Sequence, residues 1–273
     1  MFYVYIVLSA ALIPISNIFF EVLKKSYSWW LVPLLFVGFF AAFVILQLLF
    51  LAVSSLFISV DKPADKGSRF YRTLVTSTII LLFKLARVHI NTKGLEKVPE
   101  SGRFLLVCNH QHDFDPAVIL SVLPNAGLGF IGKKEIYKTM PFVAKFMHKL
   151  YCLPIDREND REAAKTVVSA IKLIKEDKAS VGIFPEGYTS KTCELLPLRN
   201  GAFKIAMKAR VPVVVCVINN TREIVKRMFR RRTDVEFRVL DTIYPEQYES
   251  MNTSQIGDIV HGEMLTALKE LRG

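Results

Sequence analysis

The chain has 273 residues, 51% of them hydrophobic, and a formal net charge of +11, enough length for one α/β domain plus something extra. The two properties are segregated: residues 1–60 carry only Glu21, Lys24 and Lys25 as charged side chains, so +10 of the +11 lies downstream. A hydrophobic head on a basic body suits anionic lipid or acidic substrates, and the absence of RNA- or DNA-binding motifs argues against nucleic acid.

Met1 to Phe20 is uncharged and just long enough for a hydrocarbon core of ~30 Å, although Pro14 and Ser16-Asn17 weaken it as a simple span. No Lys or Arg precedes it, so it lacks the basic start of a secretory signal peptide. Ser26 to Val60 is a second uncharged run, with Trp29-Trp30 as interfacial anchors. As a helix it would be about 50 Å long and would have to tilt or run along the surface. Residues 1–60 are therefore expected to form a membrane-embedded helical hairpin, either spanning or dipping into one leaflet. A spanning hairpin would put Lys24-Lys25 outside, and Lys62, Lys66, Arg69, Arg72 and the basic body on the cytoplasmic face. Residues 61–90 read as a linker in which Thr73–Phe83 is an interfacial amphipathic helix or an ordinary core helix.

From there the texture is that of a soluble domain, residues 91–273. Arg103–Cys108 reads as a buried strand, Gly127–Ile131 as a second, and Pro141 opens a helix. Leu153-Pro154-Ile155 leads into Asp156-Arg157, and Glu158–Lys175 is an amphipathic helix with Ala163, Val167, Ile171 and Ile174 on one face. Val181–Phe184 is a strand, Asn200–Lys208 a helix, Val213–Ile218 the most strongly β segment, Val235–Leu240 a half-buried strand and Ser254–Leu271 a terminal helix. Strands alternating with helices argue for an α/β fold with a mixed, largely parallel sheet flanked by helices.

Titratable residues between a strand end and a helix start are where such folds place their chemistry. His110 and Asp115 flank such a loop. On a continuous helix they would point about 140° apart, so they can meet only if the chain turns between them. A histidine near neutral pKa can take a proton from a hydroxyl, and a carboxylate can fix its tautomer. Asp115 before Pro116 is equally a plain helix cap. His112 makes a His-x-His, but no later cluster completes a metal shell, and no metal is expected. The four cysteines, Cys108, Cys152, Cys193 and Cys216, lack C-x-x-C spacing and read as small buried residues. A nucleophilic Cys108 would have to turn out of the core.

Phe184–Ser190 is a second strand-end loop whose glycine, hydroxyls and N–H groups suit a phosphate or polar headgroup, with Lys191 and Arg199 nearby. Arg157 could hold a phosphate, or pair with Asp156 or Glu158. Lys226–Arg232 is a basic run suited to anionic headgroups or to solvent.

In order along residues 88–220, these pieces resemble the 1-acylglycerol-3-phosphate acyltransferases. The first motif of that family, Asn-His-x-x-x-x-Asp, appears as Asn109-His110 through Asp115. The second resembles Lys133-Lys134-Glu135 with Ile155-Asp156-Arg157. The third, Phe-Pro-Glu-Gly-Thr-Arg-Ser, is matched by Phe184–Gly187 and Ser190, and the fourth by Val211–Val214. Gly201-Ala202-Phe203-Lys204 fits a further family stretch. The resemblance implies that His110, oriented by Asp115, deprotonates the hydroxyl of a lysophospholipid, most simply 1-acylglycerol-3-phosphate, for attack on an acyl thioester. The donor would be acyl-CoA or acyl-carrier protein, no further cofactor would be needed, and the product would be phosphatidic acid. Lys133, Arg157, Glu186, Gly187, Ser190 and Lys191 would bind substrate, at a membrane whose phospholipids the body touches. The chain departs from the family at Tyr188-Thr189, in place of Thr-Arg, with Lys191 as the nearest compensating charge. Two other readings stay open: a membrane-anchored metal-dependent ester or phosphoester hydrolase using His110 and His112, and a non-enzymatic lipid-binding protein.

Overall fold

The computed structural model describes residues 1–20, 30–60 and 68–272. Lys24, Lys25, Trp29, Lys62 and Lys66, on which the expected membrane orientation leans, lie outside the described residues.

Helices α1 (Phe2–Phe20) and α2 (Leu31–Leu56) pack against each other through Phe2 on Phe40 and Tyr5 stacked on Phe43. At 26 residues, α2 is about 39 Å long, long and apolar enough by length and composition to cross a membrane. Its Leu34, Val37, Ile45, Leu46 and Phe50 are uncovered by protein, the pattern of a helix whose solvent is lipid. A polar bridge ties this pair to α3 (Arg69–Leu85): the Tyr5 hydroxyl donates to Gln47 Oε1, and Gln47 Nε2 donates to Thr78 Oγ1 at 2.9 Å. Lys145 adds a bond to the Ser55 carbonyl at 3.0 Å.

Helix α3 has one buried apolar side. Leu74, Leu81 and Phe83 are buried, and the helix packs on the sheet domain while also touching α1 and α2. Beyond it come β1 (Val88–Lys93), β2 (Leu105–Cys108), α4 (Asp115–Val122), β3 (Leu128–Lys133), α5 (Ile136–Thr139), α6 (Pro141–Lys149), β4 (Leu153–Ile155), α7 (Asp160–Lys175), β5 (Ser180–Ile183), α8 (Lys204–Ala209), β6 (Val213–Asn219), α9 (Glu223–Arg227), β7 (Thr233–Ile243), α10 (Pro245–Tyr248) and α11 (Thr253–Glu270). The seven strands form one sheet in the order β1-β7-β6-β2-β5-β3-β4. Every neighbouring pair is parallel except β6 and β7. The sheet is mixed and largely parallel, flanked by helices on both faces.

Both faces are covered, which explains the unbroken apolar runs of β2 and β6. Successive side chains alternate across the sheet. Leu106, Cys108, Val214 and Cys216 meet Phe83 of α3 and Val118 and Ile119 of α4. Leu105, Val107, Val213 and Val215 meet α7, α8 and α11 through Ala170, Ile174, Ile205, Val260 and Met264. Asn159 caps α7 by accepting the N–H groups of Arg161 and Glu162, and Asn252 with Gln255 forms a capping box on α11. Since β2, β5, β3, β4 and β6 run the same way, the loops at their carboxyl ends open on one edge. That edge carries the site.

Candidate active site

The loop after β2 is fastened before it can bear chemistry. Asn109 Nδ2 donates to the Ile218 carbonyl at 3.0 Å and its Oδ1 accepts the Ile218 N–H at 2.8 Å, a reciprocal pair fully inside the protein. Gln111 continues the seam along the same strand, donating to Asn219 Oδ1 at 3.2 Å and accepting the Asn220 N–H at 3.1 Å. The turn this creates brings His110 and Asp115 together: His110 Nδ1 lies 2.8 Å from Asp115 Oδ2.

Asp115 is the first residue of α4 rather than its cap; Phe114 precedes the helix without a side-chain bond. The carboxylate reaches backwards over the incoming loop, where Oδ2 also accepts the N–H groups of Gln111 at 2.6 Å and His112 at 2.9 Å. Asp115 is 0% exposed, so these donors take the place of water around Oδ2. With Nδ1 engaged by Asp115, Nε2 is the nitrogen left to exchange a proton.

The imidazole plane is set by stacking. The His110 ring lies on Phe184 at 4.3 Å between centroids, and Phe184 lies on Phe130 at 5.7 Å. Gly182 makes room for this pile, since a Cβ there would come within 2.4 Å of Phe130 Cε1.

The second loop, after β5, docks directly on the first. Glu186 Oε1 accepts the His110 N–H at 2.6 Å, Oε2 accepts the Leu196 N–H at 2.8 Å, and the Ser190 N–H donates to the His110 carbonyl at 2.9 Å. The Glu186 side chain thus faces inward, and burial pushes its carboxyl up to about 7 against the opposing pull of those two N–H donors. Ser190 is buried as well. Gly187 turns the loop at φ +76, and its missing side chain leaves room for Arg199, whose Nε would lie 2.7 Å from a Cβ there.

Arg157 does not pair with Asp156 or Glu158. Asp156 is taken by Lys134 at 3.0 Å and by the Glu158 N–H at 3.2 Å. The Arg157 guanidinium turns instead to the ring of Tyr188, 5.8 Å from its centroid. Lys133, at the end of β3, is exposed, 3.9 Å from Glu135. Lys191 is exposed, with its carbonyl bound by Arg222. His112 Nδ1 accepts the Phe114 N–H at 3.3 Å, its ring tilted on Phe114. Cys108 is fully buried, and burial pushes its thiol well up, so it is no nucleophile. Among the described residues, no three His, Cys, Asp or Glu side chains gather as a metal shell would.

The acyltransferase family model matches residues 89–219, the span that holds both loops. Over those residues the chain is similar to the acyltransferase family. It is 28% identical over 186 residues to 1-acyl-sn-glycerol-3-phosphate acyltransferase of Saccharomyces cerevisiae, covering 67% of this chain and 59% of that one. To the human 1-acyl-sn-glycerol-3-phosphate acyltransferase alpha it is 24% identical over 227 residues, covering 82% and 78%. The crystal structure of the 1-acyl-sn-glycerophosphate (LPA) acyltransferase PlsC from Thermotoga maritima superposes with a TM-score of 0.57 at 22% identity, over 75% of this chain and 79% of that one, and so shares its fold. The positions of Phe184 under the His110 ring, of Tyr188 near Arg157 and Arg199, and of Arg199 beside Gly187 have no signature in sequence spacing. Only the positive charge of Arg199, next to a loop suited to phosphate, hinted at any of them.

Proposed function

We propose that this protein transfers an acyl group from an acyl thioester to the free hydroxyl of a lysophospholipid, 1-acylglycerol-3-phosphate being the acceptor and phosphatidic acid the product. The observation that carries the reading is the 2.8 Å contact of His110 Nδ1 with the buried Asp115 Oδ2. It holds the ring in the tautomer whose Nε2 accepts a proton. His110 takes the hydroxyl proton as the oxygen attacks the thioester carbonyl. The tetrahedral intermediate then expels the thiolate, which recovers that proton from the imidazolium, so the C–O bond forms as the C–S bond breaks and no acyl-enzyme arises. Glu186, with both oxygens on backbone N–H groups, acts by holding the two loops in register rather than by touching the headgroup. Alignment of hydroxyl and thioester supplies much of the acceleration.

The apolar α2, with the shorter apolar α1 packed on it, supports a site at a membrane, where the acceptor and product reside. The basic body, which carries +10 of the net charge, is assigned to the cytoplasmic face, where acyl-CoA and acyl-carrier protein are available. The metal-dependent hydrolase reading is not favoured, because His112 Nδ1 is engaged by the backbone and the relatives named above are acyltransferases.

The test supplies purified protein with acyl-CoA or acyl-carrier protein and a panel of lysophospholipids, following thiol release and diacyl product. Transfer to lysophosphatidic acid that is lost in His110→Ala is expected. No transfer to any acceptor, or full transfer by His110→Ala, would defeat the reading.

A further inference from the structure

The basic run Lys226–Arg232 takes no part in the proton transfer described above, yet it lies beside the site. Strand β6 runs toward the site edge and β7 returns from it, so residues 220–232 sit on that edge. They join the catalytic loop directly, because the Asn220 N–H donates to Gln111 Oε1 at 3.1 Å. Buried Ile224 and half-buried Met228 anchor the segment in the apolar layer shared with Phe83 of α3 and Val118 of α4. Around these anchors the surface is uncovered: Val225, Phe229 and the five cations of residues 226–232 are all exposed. Phe229 is 69% exposed and has a φ of +63, a backbone conformation that glycine or asparagine adopts easily and an aromatic residue resists. Neither the turn nor the core gains from this side chain. The charges are also unbalanced. Glu223 takes Lys226 at 2.7 Å and Arg227 at 3.2 Å, and Asp234 takes Arg232. Arg230 and Arg231 form no ion pair among the described residues.

What this surface meets follows from its neighbours. The Thr233 N–H donates to the Arg87 carbonyl at 3.1 Å, so the run abuts the end of α3, where Lys84 and Arg87 are exposed. Lys84 Nζ in turn lies 5.9 Å from the ring centroid of Tyr3 in α1. A strip of cations thus leads from the loop to the apolar pair α1 and α2, whose uncovered side chains suit lipid. Cations bordering an apolar segment, with an aromatic ring among them, suit an anionic bilayer surface at headgroup depth. We propose that residues 225–232 form a second membrane contact, in which Val225 and Phe229 enter the headgroup region and Arg230 and Arg231 bind anionic phospholipid. The contact holds the catalytic edge against the bilayer assigned above to α1 and α2. Surface binding does not depend on the transfer reading. Under that reading the product is itself an anionic phospholipid, so its accumulation strengthens the hold of the enzyme on the membrane.

The test uses the full chain reconstituted in phosphatidylcholine vesicles, with and without phosphatidylserine. Trp29→Phe and Trp30→Phe clear the background, and Phe229→Trp serves as the reporter. In anionic vesicles its emission should shift to the blue and be quenched by brominated acyl chains, and added salt should reverse part of both changes. Arg230→Gln with Arg231→Gln should weaken the association of the loop with anionic vesicles by about 30-fold, whereas Arg230→Lys with Arg231→Lys should retain most of it. With the native tryptophans and Phe229 in place, the same Gln pair should leave thiol release in detergent unchanged and lower it in anionic vesicles. A reporter equally exposed in neutral and anionic vesicles, or unaffected by the Gln pair, overturns the proposal. A blue shift produced by an acidic acyl-carrier protein but not by anionic vesicles also overturns it, and assigns the surface to a protein partner. A wild type that transfers nothing overturns the transfer reading alone, and the spectra still decide the membrane contact.

Discussion

Glu186 holds His110 by its backbone, accepting the N–H at 2.6 Å, while its other oxygen holds Leu196 at 2.8 Å. One buried carboxylate thus spans the two loops of the site. The histidine is fixed at three places: peptide N–H by Glu186, peptide carbonyl by Ser190 and ring Nδ1 by Asp115.

This clamp titrates. Its folded pKa of about 7 stands above the ordinary glutamate value, so the folded state keeps a proton that the unfolded chain releases between about pH 4.3 and 7. Stability therefore falls as pH rises through that window and levels off above it, by an amount on the order of 3 kcal/mol. Between pH 5 and 8 the thermal midpoint of the wild type should drop further than that of Glu186→Gln, which has no such proton. Parallel curves for the two proteins would show that Glu186 does not carry this dependence.

Asp115→Asn keeps the volume but replaces the acceptor of three donors with an amide that cannot fill the same role. We expect kcat to fall by about 10²- to 10⁴-fold, KM for the acceptor changing much less. A loss confined to KM would contradict the orienting role.

Gly182→Ala places a methyl 2.4 Å from the Phe130 ring and forces the Phe130–Phe184–His110 pile to shift. The overpacking should cost about 1–3 kcal/mol, and kcat should fall with it because His110 stacks on the displaced Phe184 ring. Thermal denaturation and thiol-release rates on the same preparation check both effects; wild-type values in each would show that the pile adapts freely.

Asn109→Ala removes both bonds to Ile218 and leaves a buried N–H and a buried carbonyl unpaired. The cost should be about 2–4 kcal/mol, read from the urea midpoint, with Asn109→Asp recovering little because it cannot donate to the carbonyl. An unchanged midpoint in Asn109→Ala would mean that the first loop is anchored elsewhere.

Much of this was legible in the amino-acid order, for identifiable reasons. The strands β2 and β6 are buried on both faces, so their continuous apolar runs stand out, and α7 announces itself by its apolar stripe, although its Asn159 cap went unread. The edge strand β1 did not: Val88–Lys93 pairs only with β7, and His89, Thr92 and Lys93 lie open to solvent, so little hydrophobic pattern remains. His110 and Asp115 were readable as a pair because a loop separates them. Asp115 as a backward-reaching first helical residue was not, since its partners are backbone N–H groups that every residue carries. The same applies to Glu186, for which the resemblance implied substrate binding and whose hydrogen-bond partners are main-chain N–H groups. Arg199 and Arg157 meet at Tyr188 across 42 residues of chain, a coincidence that only the packed sheet creates.

The adjacency of β2 and β5 gives the site a built-in ruler. Hydrogen-bonded strands stand about 4.8 Å apart whatever side chains they carry, so the gap between the loop bearing His110 and the loop bearing Glu186 and Ser190 is a property of the peptide backbone. Substitutions at Tyr188 or Thr189 can reshape the outer part of the second loop without altering the strand spacing beneath it. The distance between the two loops is thereby insulated from the side chains they display.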